Sequence, residues 1–91
     1  MDLIVYRNIP SRLRTGYEAL LFAAGLQDEG NATATALAME DGKIMGCCSL
    51  RHNILCQLAV SETCQEGGLA ARLVSALVQE AVNSGYGHLF M

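Results

Sequence analysis

The sequence predicts a mixed α/β domain of the α+β kind, a single sheet with helices laid on it. Three observations carry that prediction. Runs with strand character alternate with two stretches of helical periodicity. An Asp41-Gly42 pair sits between two strand-like runs, where it reads as a tight hairpin turn. The stretch "LAVSETCQEGGLAARLVSALV", Leu58 to Val78, passes from an apolar strand through adjacent glycines into an amphipathic helix.

Leu3 to Ile9 is a short, partly alternating run that reads as an edge strand. Pro10 interrupts it, and Ser11 is a suitable N-cap for a helix from Arg12 to about Ala24. Leu13, Tyr17, Leu20, Leu21 and Ala24 recur at helical spacing and give that helix one apolar face. Gly16 weakens it by about 1 kcal/mol relative to alanine, and Gly25 is placed to cap its end. "QDEGNAT" is a polar loop. "TATALAME" and "KIMGCCSL" are the two arms of the hairpin, and "RHN" makes a second turn. "ILCQLAVS" follows as a third consecutive strand, apolar on both faces and therefore expected at a central position.

The second helix is expected from about Gly68 to Ser84. Leu69, Leu73, Val74, Leu77, Val78, Ala81 and Val82 form its buried stripe, with Arg72, Ser75, Gln79 and Glu80 on the wet side. Gly85 ends it and "YGHLFM" begins another strand. The strands flanking this helix are expected to run parallel, joined by a right-handed crossover. There is no repeat and no low-complexity linker, so residues 1–91 read as one domain.

Composition narrows the function classes. The hydrophobic fraction is 52%, with no tryptophan, so the core is aliphatic and alanine-rich. Net charge is −3 and no run of lysine or arginine exists, which argues against nucleic acid as a partner. No apolar stretch approaches the roughly twenty residues of a membrane span. The N-terminus lacks a secretory signal, which makes a cytoplasmic location the expectation. Cys47, Cys48, Cys56 and Cys64 lie in or beside apolar runs, as inert thiols usually do. Adjacent cysteines on a strand point to opposite faces, which disfavours a shared metal site.

A strand entering a helix through Gly67-Gly68 presents amide hydrogens without intrahelical partners, and the helix dipole adds partial positive charge there. Such a turn can hold a phosphate without basic side chains, or it can be only a turn. Neither GxxxxGK nor GxGxxG is present.

"QEGGLA" resembles the Q/R-x-x-G-x-G/A motif of the GNAT-type N-acetyltransferases, with Gln65, Gly68 and Ala70 in the specified places. The preceding strand, the following helix and the upstream hairpin fit as well. The resemblance implies a GNAT-like acyl-CoA N-acyltransferase fold, truncated after the strand that follows the motif helix. It implies acetyl-CoA as cosubstrate, without a metal. The amides of Gln65, Glu66, Gly67, Gly68, Leu69 and Ala70 would bind the coenzyme A pyrophosphate. The backbone of Leu58, Ala59 and Val60 would pair with the pantetheine arm, whose amides can extend a sheet as a strand would.

A narrower similarity is to the N-terminal GNAT-like domain of citrate lyase ligase. It is carried by Asn53, Cys56, Ala59, Val60, Ser61, Gly68, Leu69, Ala70, His88, Leu89 and Phe90. It implies an accessory domain, because that ligase carries its nucleotide chemistry in a following domain whose HxGH-type motif is absent here.

A whole GNAT domain has further elements after the last strand seen here, so the resemblance implies an incomplete C-terminus. An unpaired edge at His88, Leu89 and Phe90 would invite homodimerisation. The family pattern often places a carboxylate on the strand before the loop to deprotonate the amine. Here Cys56 and Gln57 stand in its place. Glu40 and Asp41 at the hairpin, His52 in a turn, Glu62 and His88 are the remaining candidates, and none is assigned as the base. Three readings follow: an acetyl-CoA-binding domain transferring acetyl to an unspecified amine, a non-catalytic accessory or dimerisation module, and a small redox or metal protein using the cysteines.

Overall fold

In a computed structural model the described residues are 2–27, 30, 32–52, 54–61, 67–83 and 85. Four strands form one sheet in chain order: β1 (Asp2–Tyr6), β2 (Ala34–Glu40), β3 (Lys43–Arg51) and β4 (Ile54–Val60), each antiparallel to its neighbour. Helix α1 (Ser11–Ala23) covers one face over β3 and β4, and α2 (Leu69–Asn83) covers the other. The element order agrees with the sequence as far as α2. The strand expected at residues 86–91, with its parallel crossover, lies outside the described residues. Among those residues β4 pairs only with β3, whereas the sequence places it centrally.

Strand alternation sorts the core into two layers. Towards α2 the sheet presents Ala34, Ala36, Ala38, Cys48, Leu50 and Leu55, which meet Leu69, Leu73, Leu77 and Ala81. Towards α1 it presents Leu37, Cys47 and Ala59, which meet Tyr17 and Leu21. The adjacent cysteines therefore point to opposite faces, as their spacing implies. The hairpin turn takes left-handed backbone at both central residues, φ 52° at Asp41 and 77° at Gly42. That matches the twist of the strands it joins.

The α2 stripe is narrower than its periodicity suggests. Leu69, Leu73, Leu77 and Ala81 are buried, but Val78 and Val82 are 40% and 60% exposed. The physical reason lies across the interface. The alanines of β2 and Gly46 of β3 let the helix come close, so it touches along a line of every fourth residue. A Cβ on Gly46 would stand 3.0 Å from Leu73 Cδ1 and 3.1 Å from Leu69 Cδ2.

The ends of the elements differ in detail. β1 stops at Tyr6 rather than Ile9, with bends at Arg7 and Asn8. Ser11 is the first helical residue and not the cap. Pro10 takes the cap position at φ −56°, ψ 143°, without a side-chain cap bond. The end of α1 follows its glycine. Gly25 has φ 76°, its amide donates to the Phe22 carbonyl (3.0 Å), and the Leu26 amide donates to Leu21 (2.8 Å). That pair of bonds is a Schellman motif.

Two irregularities reset the alternation. Ala38 faces Gly46 while Met39 faces Ile44, so Met45 is an extra residue in β3. Cys47 faces Ala59 while Ser49 faces Cys56, so Gln57 and Leu58 together oppose Cys48. This second bulge makes Ala59 face α1 and Val60 face α2.

Candidate functional site

The α2 entrance is built from its glycines. Gly67 and Gly68 are exposed, and Gly68 has φ 72°, a conformation that favours glycine. The Gly68 carbonyl accepts the Arg72 amide at 3.2 Å and so closes the first turn. That leaves the amides of Gly68, Leu69, Ala70 and Ala71 without intrahelical carbonyls. No acidic residue occupies the first turn, where a carboxylate would neutralise the dipole. A Cβ added to Gly67 or Gly68 meets no described atom within 4 Å. Among the described residues, then, nothing crowds the two glycines, and an anion held by main-chain donors needs such room. Leu69 is anchored in the core at 3% exposure and fixes the orientation of this turn. Ala71, a further donor, is absent from the sequence-based set, because that set was aligned to the motif and not to the cap. Gln65 and Glu66 lie outside the described residues.

Leu58, Ala59 and Val60 form the end of β4, the element before α2 in the chain, with residues 61–66 between it and the entrance. Alternate backbone groups on such a strand point away from β3. Among the described residues no strand takes them up. Leu58 is exposed, Ala59 buried and Val60 half-buried. The structure thus holds the three strand positions and the four described glycine-turn positions in consecutive elements, β4 and the start of α2.

The bulge between them is held by side chains that pattern analysis missed. Gln57 has φ 54°, in the left-handed region, although glutamine gives no sequence sign of it. Its Oε1 accepts the Tyr17 hydroxyl at 3.2 Å, and its Nε2 donates to the Gln27 carbonyl. The Tyr17 hydroxyl also lies 3.4 Å from Ser49 Oγ, which is 3.0 Å from Thr35 Oγ1. Tyr17, Thr35 and Ser49 are all buried, and no described buried side-chain nitrogen or oxygen lacks a hydrogen-bond partner. A chain of hydroxyls thus runs under α1 from β2 to the β4 bulge.

Three of the candidate bases lie among the described residues. Glu40 and Asp41 are exposed at the hairpin, and His52 is exposed in its turn at φ 55°. Glu62, His88 and Cys64 lie outside the described residues. Cys47, Cys48 and Cys56 are free thiols. Burial pushes the Cys47 thiol up to about 12, against a weak opposing hydrogen bond from the Ala59 backbone. Burial, then the neighbouring Cys56, pushes Cys48 up to about 11. Neither supplies a thiolate near neutral pH. Among the described residues no group of three or more His, Cys, Asp or Glu gathers as metal ligands would. Nor is any described helix long and apolar enough to cross a membrane.

Among the described residues, cavities lie on both sides of the first turns of α1. One, of about 80 Å³, has Arg7, Asn8, Arg14, Tyr17 and Thr35 in its wall. The other, of about 290 Å³, has Arg12, Leu13, Gly42, Lys43 and Ile44.

Comparison with known proteins gives a consistent result. The sequence profile described as the acetyltransferase (GNAT) family matches residues 5–91. No protein with a curated description matches at a significant level. Among solved structures, a ribosomal-protein-alanine N-acetyltransferase from Brucella melitensis biovar Abortus 2308 superposes with a TM-score of 0.74 at 18% identity. That match covers 99% of this chain and 78% of that one. A GNAT family N-acetyltransferase from Escherichia coli, solved in complex with CoA, gives 0.70 at 23% identity, covering 92% and 58%. An N-acetylglutamate synthase from Neisseria gonorrhoeae, complexed with coenzyme A and N-acetyl-glutamate, gives 0.68 at 19%, covering 93% and 24%. At these identities the likeness speaks to the fold.

Proposed function

The chain belongs to the acetyltransferase (GNAT) family, and on that premise we propose that it binds acetyl-CoA and passes the acetyl group to an amine. The observation that carries this reading is the glycine-built entrance of α2, with Gly68 at φ 72° and no described atom within 4 Å of where a side chain at Gly67 or Gly68 would begin. The amides of Gly68, Leu69, Ala70 and Ala71 would hold the diphosphate, joined by those of Gln65, Glu66 and Gly67. The outer edge of Leu58, Ala59 and Val60 would pair with the pantetheine amides and align the thioester beside the β4 bulge. CoA-bound structures among the chain's neighbours support the same cosubstrate.

When bound, the thioester supplies an activated acyl carbon. Transfer needs the amine nitrogen to form a bond to that carbon as the carbon–sulfur bond breaks. The amine proton goes to a base or to water, and the leaving sulfur takes up a proton. The described part of β4 offers no carboxylate for the first of these, since Gln57 occupies the bulge and cannot accept the proton. A non-catalytic accessory or dimerisation module, as in the citrate lyase ligase similarity, is the second reading, and Cys56 and Gln57 in place of an acid favour it.

Calorimetric titration with acetyl-CoA tests binding. Gly68→Asp is expected to abolish it, by placing negative charge at the diphosphate site. Gly68→Asn tolerates the same backbone region without the charge and is expected to retain most of it. Equal affinity in both folded variants would refute the placement. Amine-dependent release of free thiol then separates transfer from binding alone. The proposed homodimer through the C-terminal edge is checked by solution mass.

A further inference from the structure

We propose that Gln57 is a positioning residue for the acyl site, and that Tyr17 of α1 acts on that site through it. The inference rests on the reading that the β4 edge takes the pantetheine arm, and it adds what holds that edge in shape. Asp41, His52 and Gln57 are the described residues other than glycine with left-handed backbone. Asp41 and His52 stand in the turns at the two ends of β3, where the chain must reverse. Gln57 stands inside a strand, at φ 54°, where no reversal asks for it. A side chain with a Cβ resists this conformation, so it persists only where its surroundings impose it, and such positions gather at functional sites. Here the imposing group is the residue's own carboxamide. Its Oε1 accepts the Tyr17 hydroxyl at 3.2 Å, and its Nε2 donates to the Gln27 carbonyl. Behind Tyr17 stand Ser49 and Thr35, both buried and linked at 3.0 Å. The anchor is thus the packed interior and not the surface.

Leu58, Ala59 and Val60 follow this residue directly. Ala59 opposes Cys47 because Gln57 and Leu58 share the place opposite Cys48. Were Gln57 to relax to extended backbone, the bulge would change form and the outward N–H and C=O groups after it would turn. The carboxamide therefore biases an equilibrium between an edge shaped for the arm and one that is not. The apparent affinity for acetyl-CoA scales with the fraction of molecules in the competent form. Tyr17 is 1% exposed and has no surface to offer a ligand. Its effect on affinity must reach the edge through the bond to Gln57. A carboxamide takes up no proton near neutral pH, so the role is one of placement and not of acid–base exchange.

The test measures acetyl-CoA affinity of the folded whole chain by calorimetry. The amide resonances of Leu58, Ala59 and Val60 give a second readout that needs no ligand. Tyr17→Phe keeps the ring and loses the hydroxyl. It should weaken binding roughly three- to tenfold, the range one ordinary hydrogen bond supplies, and should move those three amides. Gln57→Ala should weaken binding further. Gln57→Gly lacks the same carboxamide but accepts left-handed backbone freely, so it should bind at least about threefold more tightly than Gln57→Ala. A side chain that touched the cosubstrate would be missed equally in both. Adding Tyr17→Phe to Gln57→Gly should change affinity by less than about twofold, because the two substitutions remove one shared bond. Tyr17→Phe binding like wild type, equal affinities for the alanine and glycine variants, or additive losses in the double variant overturns the proposal. If the wild type binds no acetyl-CoA, the cofactor reading fails and the amides decide by themselves. Shifts in both Tyr17→Phe and Gln57→Ala then uphold Tyr17 and Gln57 as what sets the β4 edge, and unmoved resonances overturn it.

Discussion

At the scale of single residues, Gly46 and Gln57 do most to set the site's geometry. Gly46 lets α2 lie close to β3, and the two nearest neighbours of its missing Cβ, Leu69 and Leu73, are buried. Gly46→Ala is therefore expected to cost about 1–3 kcal/mol by overpacking, and Gly46→Val more, read from urea midpoints. Gln57 spends its amide on Tyr17 and Gln27 while its backbone sits at φ 54°. Gln57→Ala removes both bonds and should cost about 1–3 kcal/mol. Gln57→Gly removes the same bonds but relieves left-handed strain of about 1–2 kcal/mol. The glycine variant should therefore be the more stable of the two. Equal stabilities would mean that the backbone there is under no strain.

At the scale of elements, the narrow contact line of α2 makes a prediction that its sequence pattern alone would get wrong. Leu77→Ala, at a fully buried position, is expected to cost about 2–5 kcal/mol. Val82→Ala, at an exposed one, should stay within about 0.5 kcal/mol. Thermal or urea unfolding of the two variants decides it. The same comparison shows what could be read in advance. β2, β3, their Asp-Gly turn, β4 and both helices were legible because periodicity and turn chemistry are local signals. The glycine turn was legible because its backbone needs a residue without a side chain. The width of the α2 stripe was hidden, since it depends on alanines and a glycine in strands far away in sequence. The bulges were hidden because alternation is read by counting, and Met45 and Gln57 carry no mark of an extra residue. The Tyr17–Ser49–Thr35 hydroxyls meet only after α1 has docked, so no local window holds them together.

At the scale of the whole molecule, the two core layers place thiols in the interior on both sides of the sheet. In the folded state Cys47 and Cys48 are held protonated, to about pH 12 and about pH 11, against a usual thiol value of 9.0. A raised folded value means that the unfolded chain gives up these protons first. Their contribution to stability is thus complete below about pH 9 and is lost as pH rises from there through the folded values. Urea midpoints between pH 7 and pH 11 should fall more steeply for the wild type than for a Cys47→Ala, Cys48→Ala double variant. At pH 8 both thiols should resist alkylation until the protein unfolds, and fast modification of the native chain would contradict the layered core.

The bulge at Gln57 and Leu58 has a consequence for length variation in this strand. A sheet has two sides, and each inserted or lost residue exchanges odd for even. With its extra residue, β4 sends Ala59 beneath α1 and Val60 beneath α2. Removing Leu58 alone would take out the extra residue, with Gln57 left opposite Cys48 and both Ala59 and Cys56 keeping their partners and their sides. β2 pairs with β1 without a break, so it has no spare residue there, and removing Leu37 would turn one flank of that strand over. A single-codon deletion at Leu58 should therefore do less harm than one at Leu37, which unfolding midpoints of the two variants would show.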